Sequence, residues 1–447
     1  MSAAEPVHLV VPQQIGRDRA EIWVGLVDAA TDGLRLGIGT RLRSLPDSWQ
    51  RFEAGGRTIQ AQRVPVDGLS PRQSYPVRLL RGPQVVAEGS ATTLPGRLPS
   101  PGERPFTVLL GSCFCVAQDP AGIAGAAVRA LPAQARADLS ILCGDQVYLD
   151  SPGLHFLICT HRREELAAEL LANYLATWSQ RTPGGGFRDA LASSATYLSA
   201  DDHELWNNAP LPTPYVRDSW TAAGRSTWLE LARTLYALFQ APAPGAVVRV
   251  DPLSFFVADT RLARTPDSRA FMDGTQLAAL EAWTAALSGP GALVVGQPIF
   301  VEETGWRGIL TDRGLADYAQ YRDLVRILSR TRHDLLVLTG DVHFGRVATC
   351  QLPNGRRVIE LISSPLALVD PLATGKWKVA PTTFPARAEP AAAQAPVTTD
   401  PYARADEHFL SLAFAGVGSA VRLTATSWSI APGRPTVGRV ILTTDLH

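Results

Sequence analysis

Residues 137–150, ADLSILCGDQVYLD, contain the pattern around which the rest of the chain is organised. The apolar residues of this stretch predict a short buried strand: Leu139, Ile141, Leu142 and Cys143. The pattern breaks at Gly144, and the acid Asp145 and the phenol Tyr148 follow at once. In open α/β sheets, ligands bind beyond the carboxyl ends of the strands. We therefore expect Asp145 to be a site residue in an α/β fold.

Similar apolar runs recur along the chain. They predict strands that end at Cys113 (FTVLLGSC), Asp259 (SFFVADTR) and Asp341 (HDLLVLTGD). Helical patterns lie between them at 121–134, 161–178, 228–239 and 274–287. The order strand, helix, strand over residues 106–143 predicts a βαβ unit and hence a parallel sheet.

The predicted domain organisation has three parts. Residues 1–95 alternate apolar and polar side chains in short runs, which predicts a small antiparallel β-sandwich; Leu69–Tyr75 is similar to the tyrosine corner of fibronectin-type sandwiches. Proline-rich residues 96–105 predict a linker. Residues 106–447 would form the catalytic domain, with the Pro/Ala-rich stretch 369–404 as a candidate lid and the final strands completing a second sheet.

Composition excludes several classes of protein. The 447 residues carry 42 Lys and Arg against 42 Asp and Glu, without the basic excess of a nucleic-acid binder. No segment has the roughly 18 consecutive apolar residues of a membrane helix. The N-terminus lacks an export signal, which predicts a cytoplasmic protein, or an exported one if a leader was removed.

The five cysteines are scattered without a CxxC pair, which argues against a disulfide framework. Buried thiols or a metal ligand are the remaining roles for them.

Four strand ends carry groups that could bind metal. They are Cys113 in GSC, Asp145 and Tyr148 in GDQVY, the stretch ADDHELWNN at 200–208, and Asp341 with His343 in GDVH. Each is a weak signal alone, because a buried Cys is usually a small hydrophobe and a lone His is more often structural. Together they offer thiolate, carboxylate, phenolate, amide and imidazole donors, as a site for two metal ions requires. Asp145 could bridge the two ions with both oxygens.

The motifs GSC, GDxxY, DDHExxNN and GDVH, in this order, resemble the alkaline phosphatase D (PhoD-like) family of calcineurin-like metallophosphatases. The resemblance implies a calcineurin-like αββα sandwich preceded by a fibronectin/Ig-like β-sandwich. It also implies metal-dependent hydrolysis of phosphomonoesters or phosphodiesters with Fe(III) and Ca(II), on a small phosphate-ester substrate. The implied iron ligands are Cys113, Asp145 and Tyr148. Positions that complete the second site or hold the phosphate are matched by Asp202, Asn208, Asp341 and His343.

Two further residues have predicted catalytic roles. His203 matches the position where related enzymes place a His that faces the leaving group, as a proton donor or a stabiliser of charge. Arg261 could hold a phosphate oxygen bidentately, or could form a surface salt bridge with Asp259 or a neighbouring residue.

The sequence leaves several alternatives open. Zn(II) or Mn(II) could replace iron, and the activity could be phospholipase D-like, although no basic amphipathic helix favours membrane docking. A metal-binding scaffold without turnover is a further alternative. The family commonly has Gln after the SC pair, whereas this chain has Phe114 and Cys115, so that Cys115 is an alternative ligand. Further candidates to line the pocket are His155, His161 and Trp206.

Overall fold

The computed structural model describes residues 5–151, 162–214, 216–240, 245–304, 313–368, 378–388, 393–433 and 436–447. It is a mixed α/β structure in which the described residues form four sheets and six α-helices, numbered below in chain order. No helix among the described residues is both long enough and apolar enough to cross a bilayer.

Two four-stranded antiparallel sheets form the N-terminal region. Their strands are β1 (Val7–Ile15), β2 (Arg19–Val27), β3 (Leu34–Ile38), β4 (Arg41–Ser44), β5 (Gln50–Ala54), β6 (Arg57–Asp67), β7 (Ser74–Arg81) and β8 (Gln84–Thr92). The strand orders are β1-β2-β6-β5 and β4-β3-β7-β8. Val24 of the first sheet and Leu79 of the second belong to one buried cluster, so the sheets pack together. The backbone N–H of Ser70 donates to the Tyr75 hydroxyl at 2.8 Å, the bond expected of a tyrosine corner.

A six-stranded sheet follows. Its strands are β9 (Phe106–Gly111), β10 (Leu139–Cys143), β11 (Ala195–Ser199), β20 (His408–Val417), β21 (Ala420–Ser429) and β22 (Gly438–Leu446). The order is β11-β10-β9-β20-β21-β22, in which β9, β10 and β11 are parallel. The predicted βαβ unit is therefore confirmed. The C-terminal strands continue the sheet by antiparallel pairing of β20 with β9.

An eight-stranded sheet packs against it. Its strands are β12 (Ala246–Val250), β13 (Leu253–Val257), β14 (Gly291–Val294), β15 (Leu335–Thr339), β16 (Gly345–Gln351), β17 (Arg357–Ile362), β18 (Thr383–Phe384) and β19 (Ala395–Arg404). The order is β12-β13-β14-β15-β17-β16-β19-β18. Strands β13, β14, β15 and β17 are parallel.

The prediction of a lid at 369–404 is wrong for the last ten residues of that stretch. These residues form β19 (Ala395–Arg404), which pairs with β16 between Val397 and Arg404 and with β18 at its first two residues. Pro401 has no N–H to donate, but it lies where the register shifts between Arg346 and Ala348, so the ladder tolerates it. Residues 369–377 and 389–392 of the candidate lid lie outside the described residues.

Six α-helices cover the outer faces of the two larger sheets. They are α1 (Ile123–Arg129), α2 (Arg163–Trp178), α3 (Phe187–Ser193), α4 (Ala222–Phe239), α5 (Gly274–Ala285) and α6 (Tyr321–Ser329). Side chains of α1 to α4 share a buried cluster with Leu142 of β10, whereas α5 and α6 share one with Leu293 of β14. The opposite faces of the two sheets meet in a third cluster, for example through Ile141 and Leu336. The layers are therefore helix, sheet, sheet and helix.

Candidate metal centre

Side chains from four strand ends meet at one edge of the two packed sheets. Cys113 follows β9, Asp145 follows β10, Asp202 follows β11, and Asp341 follows β15. Three overlapping sets of side chains have ligand atoms within 4.8 Å of one another: Cys113, Asp145 and His343; Asp145, Asp202 and His203; and Asp145, Asp201, Asp202 and Asp341. Asp145 belongs to all three sets. The structure thus brings together most of the predicted ligands, with Asp145 at the centre.

The backbone is strained where it presents these ligands. Left-handed φ angles are uncommon for residues other than Gly and cost on the order of 1 kcal/mol each. Among the described residues, five predicted ligands adopt them: Cys113 (57°), Asp145 (58°), Asn208 (67°), Asp341 (67°) and His343 (50°). Such strain tends to be stored at functional sites. The conformation turns each side chain sharply at the end of its strand or loop.

Glycines precede two of the aspartates because neighbouring segments approach closely. Gly144 has a φ of 93°, and a Cβ there would lie 2.5 Å from the Cβ of Asp201. A Cβ on Gly340 would lie 2.1 Å from the Oγ of Ser112. Real Cβ atoms do not approach other atoms so closely, so the GD pairs have a steric basis.

Cys113, Tyr148 and His343 form one side of the site. The Sγ of Cys113 lies 3.4 Å from Oδ2 of Asp145 and receives a hydrogen bond from the Ser364 hydroxyl at 3.1 Å. The Tyr148 hydroxyl lies 3.4 Å from Nε2 of His343. Burial, aided by the Asp341 carboxylate, raises the pKa of the Cys113 thiol to about 12. Burial likewise raises the pKa of Tyr148 well above its usual value. A nearby cation would be needed to deprotonate either group.

Asp201, Asp202 and Arg261 form the other side. Nε of Arg261 donates to Asp201 at 2.6 Å, and the backbone N–H of Asn208 donates to Asp202 at 2.6 Å. Burial acts to raise the pKa of Asp202, but Arg261 and other partners outweigh it and leave the pKa below its usual value. Oδ1 of Asp202 and Oδ2 of Asp201 are buried and have no hydrogen-bond partner among the described residues. Buried carboxylate oxygens left without a partner fit a metal site, because burying an unpaired polar or charged group is otherwise costly.

The structure excludes one of the two roles predicted for Arg261. Its side chain is 1% exposed, which excludes the surface salt bridge. Besides binding Asp201, the guanidinium donates to the carbonyl of Ala209 at 3.0 Å, and only the backbone N–H of Arg261 bonds to Asp259. The guanidinium is therefore a buried counter-ion of the carboxylates rather than a group open to solvent.

His203 is held in place by Asp150. Nδ1 of His203 lies 2.7 Å from Oδ1 of Asp150, and its ring stacks on Tyr148 with centroids 4.0 Å apart. Burial acts to lower the pKa of His203, but Asp150, followed by Asp202 and Asp145, outweighs it and raises the pKa well above its usual value. Because Asp150 accepts from Nδ1, Nε2 is the nitrogen that can exchange a proton with a substrate.

Several supporting residues were not predicted, although most lie within the recognised motifs. The buried Glu204 carboxylate accepts backbone N–H groups of Asp145, Gln146 and Asp201 at 2.7 to 2.9 Å, and so ties the loops after β10 and β11 together. The Gln297 amide donates to Asp341 at 2.9 Å. The DDHExxNN motif was the sequence signal for Asp201 and Glu204, whereas the roles of Asp150 and Gln297 could be found only through their contacts.

Other predicted residues have different placements. Asn208 lies beside Asp202, to which its backbone N–H donates at 2.6 Å, and its Oδ1 atom accepts the backbone N–H of Arg313 at 3.1 Å. Cys115 is buried and joins none of the ligand sets found among the described residues. Trp206 is fully buried and donates to the carbonyl of Leu211 at 2.8 Å, so the prediction that it lines the pocket is wrong. His155 and His161 lie outside the described residues.

The fold and the ligand cluster together define an α/β protein with a candidate metal centre at its strand ends. The solved structure of PhoD is similar to this chain, with a TM-score of 0.61 over 97% of this chain and 92% of that chain, at 14% sequence identity. The chain therefore has the fold of PhoD, which confirms the resemblance in fold. No protein-family model matches the chain. No curated protein matches it either.

Proposed function

We propose that this chain is a metal-dependent hydrolase of phosphate esters, a phosphodiesterase or alkaline phosphatase that acts on small substrates. The observation that carries the proposal is the position of Asp145, whose carboxylate is shared by all three sets of closely spaced ligand atoms. A carboxylate with two oxygens can bridge two cations, and paired cations are suited to phosphoryl chemistry. The likeness to PhoD in fold supports the same class of activity.

We assign Fe(III) to Cys113, Asp145 and Tyr148, and Ca(II) to Asp202, Asn208 and Asp341. The donor types support this division, because carboxylate and amide oxygens suit calcium, whereas thiolate and phenolate suit a transition metal. His343 shares a ligand set with Cys113 and Asp145, so we assign it to the iron side. Zn(II) or Mn(II) at the iron position is the alternative. Bound cations would polarise the phosphoryl oxygens and make water a better nucleophile.

We assign His203 as the general acid. Asp150 raises the pKa of the imidazole, which favours the protonated form, and it fixes Nδ1 so that Nε2 is the donating atom. The proton passes to the oxygen of the leaving group as the bond to phosphorus breaks. Arg261 and Glu204 are positioning residues: Arg261 binds the Asp201 carboxylate, and Glu204 binds the backbone N–H of Asp145.

The proposed organisation is a calcineurin-like αββα domain over residues 106–447, preceded by a fibronectin/Ig-like sandwich at 1–95 and a linker at 96–105. The two packed N-terminal sheets and the helix, sheet, sheet, helix layering support it. Leu98 of the linker donates its backbone N–H to Asp251 at 2.9 Å, so the linker runs along the catalytic part.

Hydrolysis of bis(p-nitrophenyl) phosphate by the full chain tests the proposal. The protein would be treated with chelator and then reloaded with Fe, Ca, Zn or Mn. We expect activity to return with metal and to fall by at least about 10³-fold in Asp145→Asn, the scale of a lost catalytic electrostatic interaction. Asp267→Asn, an exposed acid, is the matched control and should keep full activity. Metal binding without turnover of any ester would identify the scaffold alternative, and cleavage of phosphatidylcholine alone would identify the phospholipase alternative.

Visible absorption with elemental analysis tests the metal assignment. A violet band that disappears in Tyr148→Phe would support tyrosinate bound to Fe(III). A colourless, active protein that contains zinc or manganese would keep the hydrolase proposal and remove the iron assignment.

A further inference from the structure

A second cleft, of about 780 Å³, lies between strand β8, the segment 95–105 and helix α1. Phe106 and Asp138, which line it, stand at the amino ends of β9 and β10. The metal ligands Cys113 and Asp145 follow the opposite ends of the same strands. At about 3.3 Å per residue, the strands separate the two sites by roughly 20 Å. The cleft is therefore distinct from the candidate metal centre.

Arginines dominate the charged lining of the cleft, although three of them also pair with acids of the protein. Four arginines line the cleft, Arg72, Arg104, Arg129 and Arg136, and Asp138 is its one acidic lining residue among the described residues. The whole chain, in contrast, has a formal net charge of +0. Clefts lined by one sign of charge focus the electric field and concentrate ions of the opposite sign. The arginines therefore favour an anionic ligand in this cleft.

Three of the arginines are linked in a row. Arg72 donates to the carbonyl of Arg104 at 3.3 Å, and Arg104 donates to the carbonyl of Arg136 at 2.7 Å. Arg72 and Arg104 also bind Glu103 and Asp138. Because a guanidinium has five N–H donors, each of these residues keeps donors for a ligand. The row is thus partly oriented in advance.

Arg129 and Arg136 form fewer or weaker bonds within the protein than Arg72 and Arg104. Arg136 forms no ion pair with the described residues, and its Nε donates to the carbonyl of Leu131 at 3.4 Å. Arg129 lies 3.5 Å from Asp189 and its side chain is 55% exposed. These two side chains can turn to a ligand at little cost to the fold.

The other lining residues indicate which further chemical groups a ligand of this cleft would carry. Hydroxyl groups of Ser74, Ser90 and Thr92 add neutral hydrogen-bond donors on one side. Pro95 and Pro99 add an apolar surface on another. The combination suits phosphate groups attached to a small organic body.

We propose that this cleft is a second, non-catalytic binding site for a small molecule that carries two or more phosphate groups. The planar guanidinium fork binds phosphate oxygens bidentately, and several arginines in a row match a chain of phosphates. The proposal does not depend on the hydrolase activity. The phosphates could belong to a free oligophosphate or to a nucleotide, and the probes below separate the two.

Calorimetric titration of the full chain with tripolyphosphate and with ATP tests this proposal. Arg129→Gln/Arg136→Gln should weaken binding of either probe by at least about tenfold, because charge-assisted bonds are lost. Arg51→Gln/Arg422→Gln removes the same charge from exposed positions outside the cleft and should change affinity less than about twofold. Asp145→Asn should retain the binding event. Tighter binding of ATP than of tripolyphosphate would indicate that the nucleoside packs against Pro95 and Pro99. Equal affinity for the two probes would indicate that the site binds the phosphate chain alone.

The proposal fails if neither probe binds at concentrations up to about 1 mM, where ligand binding becomes too weak to be selective. It also fails if both double variants bind alike, or if binding disappears in Asp145→Asn but persists in Arg129→Gln/Arg136→Gln. That last result would place the anion at the metal centre alone. Retained ester hydrolysis in the cleft variant would establish that its fold is intact.

Discussion

Asp150 and His203 form a carboxylate–imidazole pair with 2.7 Å between Oδ1 and Nδ1, although they lie 53 positions apart in the chain. The other carboxylate oxygen of Asp150 accepts the backbone N–H of Asn207 at 2.7 Å. The acid is therefore bound on both sides, and the imidazole that it holds has a single orientation. This pair connects the loop after β10 with the loop after β11 at the point where we propose a proton donor.

The first prediction concerns Asp150→Asn. The Asn amide lacks the negative charge of the Asp150 carboxylate, which favours the protonated form of His203. The amide also presents an N–H group in place of one acceptor oxygen. We expect kcat to fall by about 10²-fold for phenyl esters, the lower range for a general acid, and by less for p-nitrophenyl esters, whose leaving group needs less protonation. Steady-state kinetics with both leaving groups would measure the difference. Equal losses for the two esters would contradict a role in proton donation.

The second prediction concerns Arg261→Gln. Removal of one partner leaves the Asp201 carboxylate buried without its counter-ion, so we expect the free energy of unfolding to fall by about 3–5 kcal/mol. Urea denaturation would measure it. Arg269→Gln, in an ion pair whose arginine is 83% exposed, should change the free energy of unfolding by less than about 0.5 kcal/mol. Unchanged stability with a raised KM would instead restore Arg261 as a phosphate contact.

The third prediction concerns Gly340→Ala. The new Cβ would lie 2.1 Å from the Oγ of Ser112, so a neighbouring strand end must shift. We expect a loss of about 1–3 kcal/mol in the free energy of unfolding, as for other overpacked positions, together with reduced metal content. Gly274→Ala at the start of α5 has no atom within 4 Å of the new Cβ and should be neutral or slightly stabilising. Similar melting temperatures for the two variants would contradict the steric argument.

The fourth prediction concerns pH and His408. Burial lowers the pKa of His408 from 6.5 to about 4, and Nδ1 lies 2.7 Å from the carbonyl of Asp406. In the pH range between these values the unfolded chain binds a proton that the folded chain does not. The free energy of unfolding must therefore decrease as pH falls, by about 2 kcal/mol between pH 7 and pH 5 from this residue.

Urea denaturation of the native chain and of His408→Asn at both pH values would measure that contribution. The Asn side chain can still donate to the Asp406 carbonyl but does not titrate. We expect the variant to lose less stability on acidification than the native chain. The same pH dependence in both proteins would show that His408 already carries its proton in the fold.

Local pattern accounts for the strands that carry the ligands. Strands such as β10 and β15 are buried on both faces, so they appear as continuous apolar runs that end abruptly at GD. β19 was missed because Pro396 and Pro401 argue against a strand. It forms nevertheless, since Pro401 lies in an irregularity of the ladder and Pro396 pairs only with the two-residue β18.

The sequence by itself determined the residue types at each strand end, and with them the positions of Cys113, Asp145, Asp341 and His343. This was possible because a buried strand and its terminal turn are defined by neighbouring residues. Only the tertiary structure decided that Arg261 is a buried partner of Asp201, that Asp150 orients His203, and that Glu204 joins two loops. Those contacts depend on how separate strands align in the sheets and pack against each other. The partner of a buried charge is chosen by that packing, which no local pattern contains.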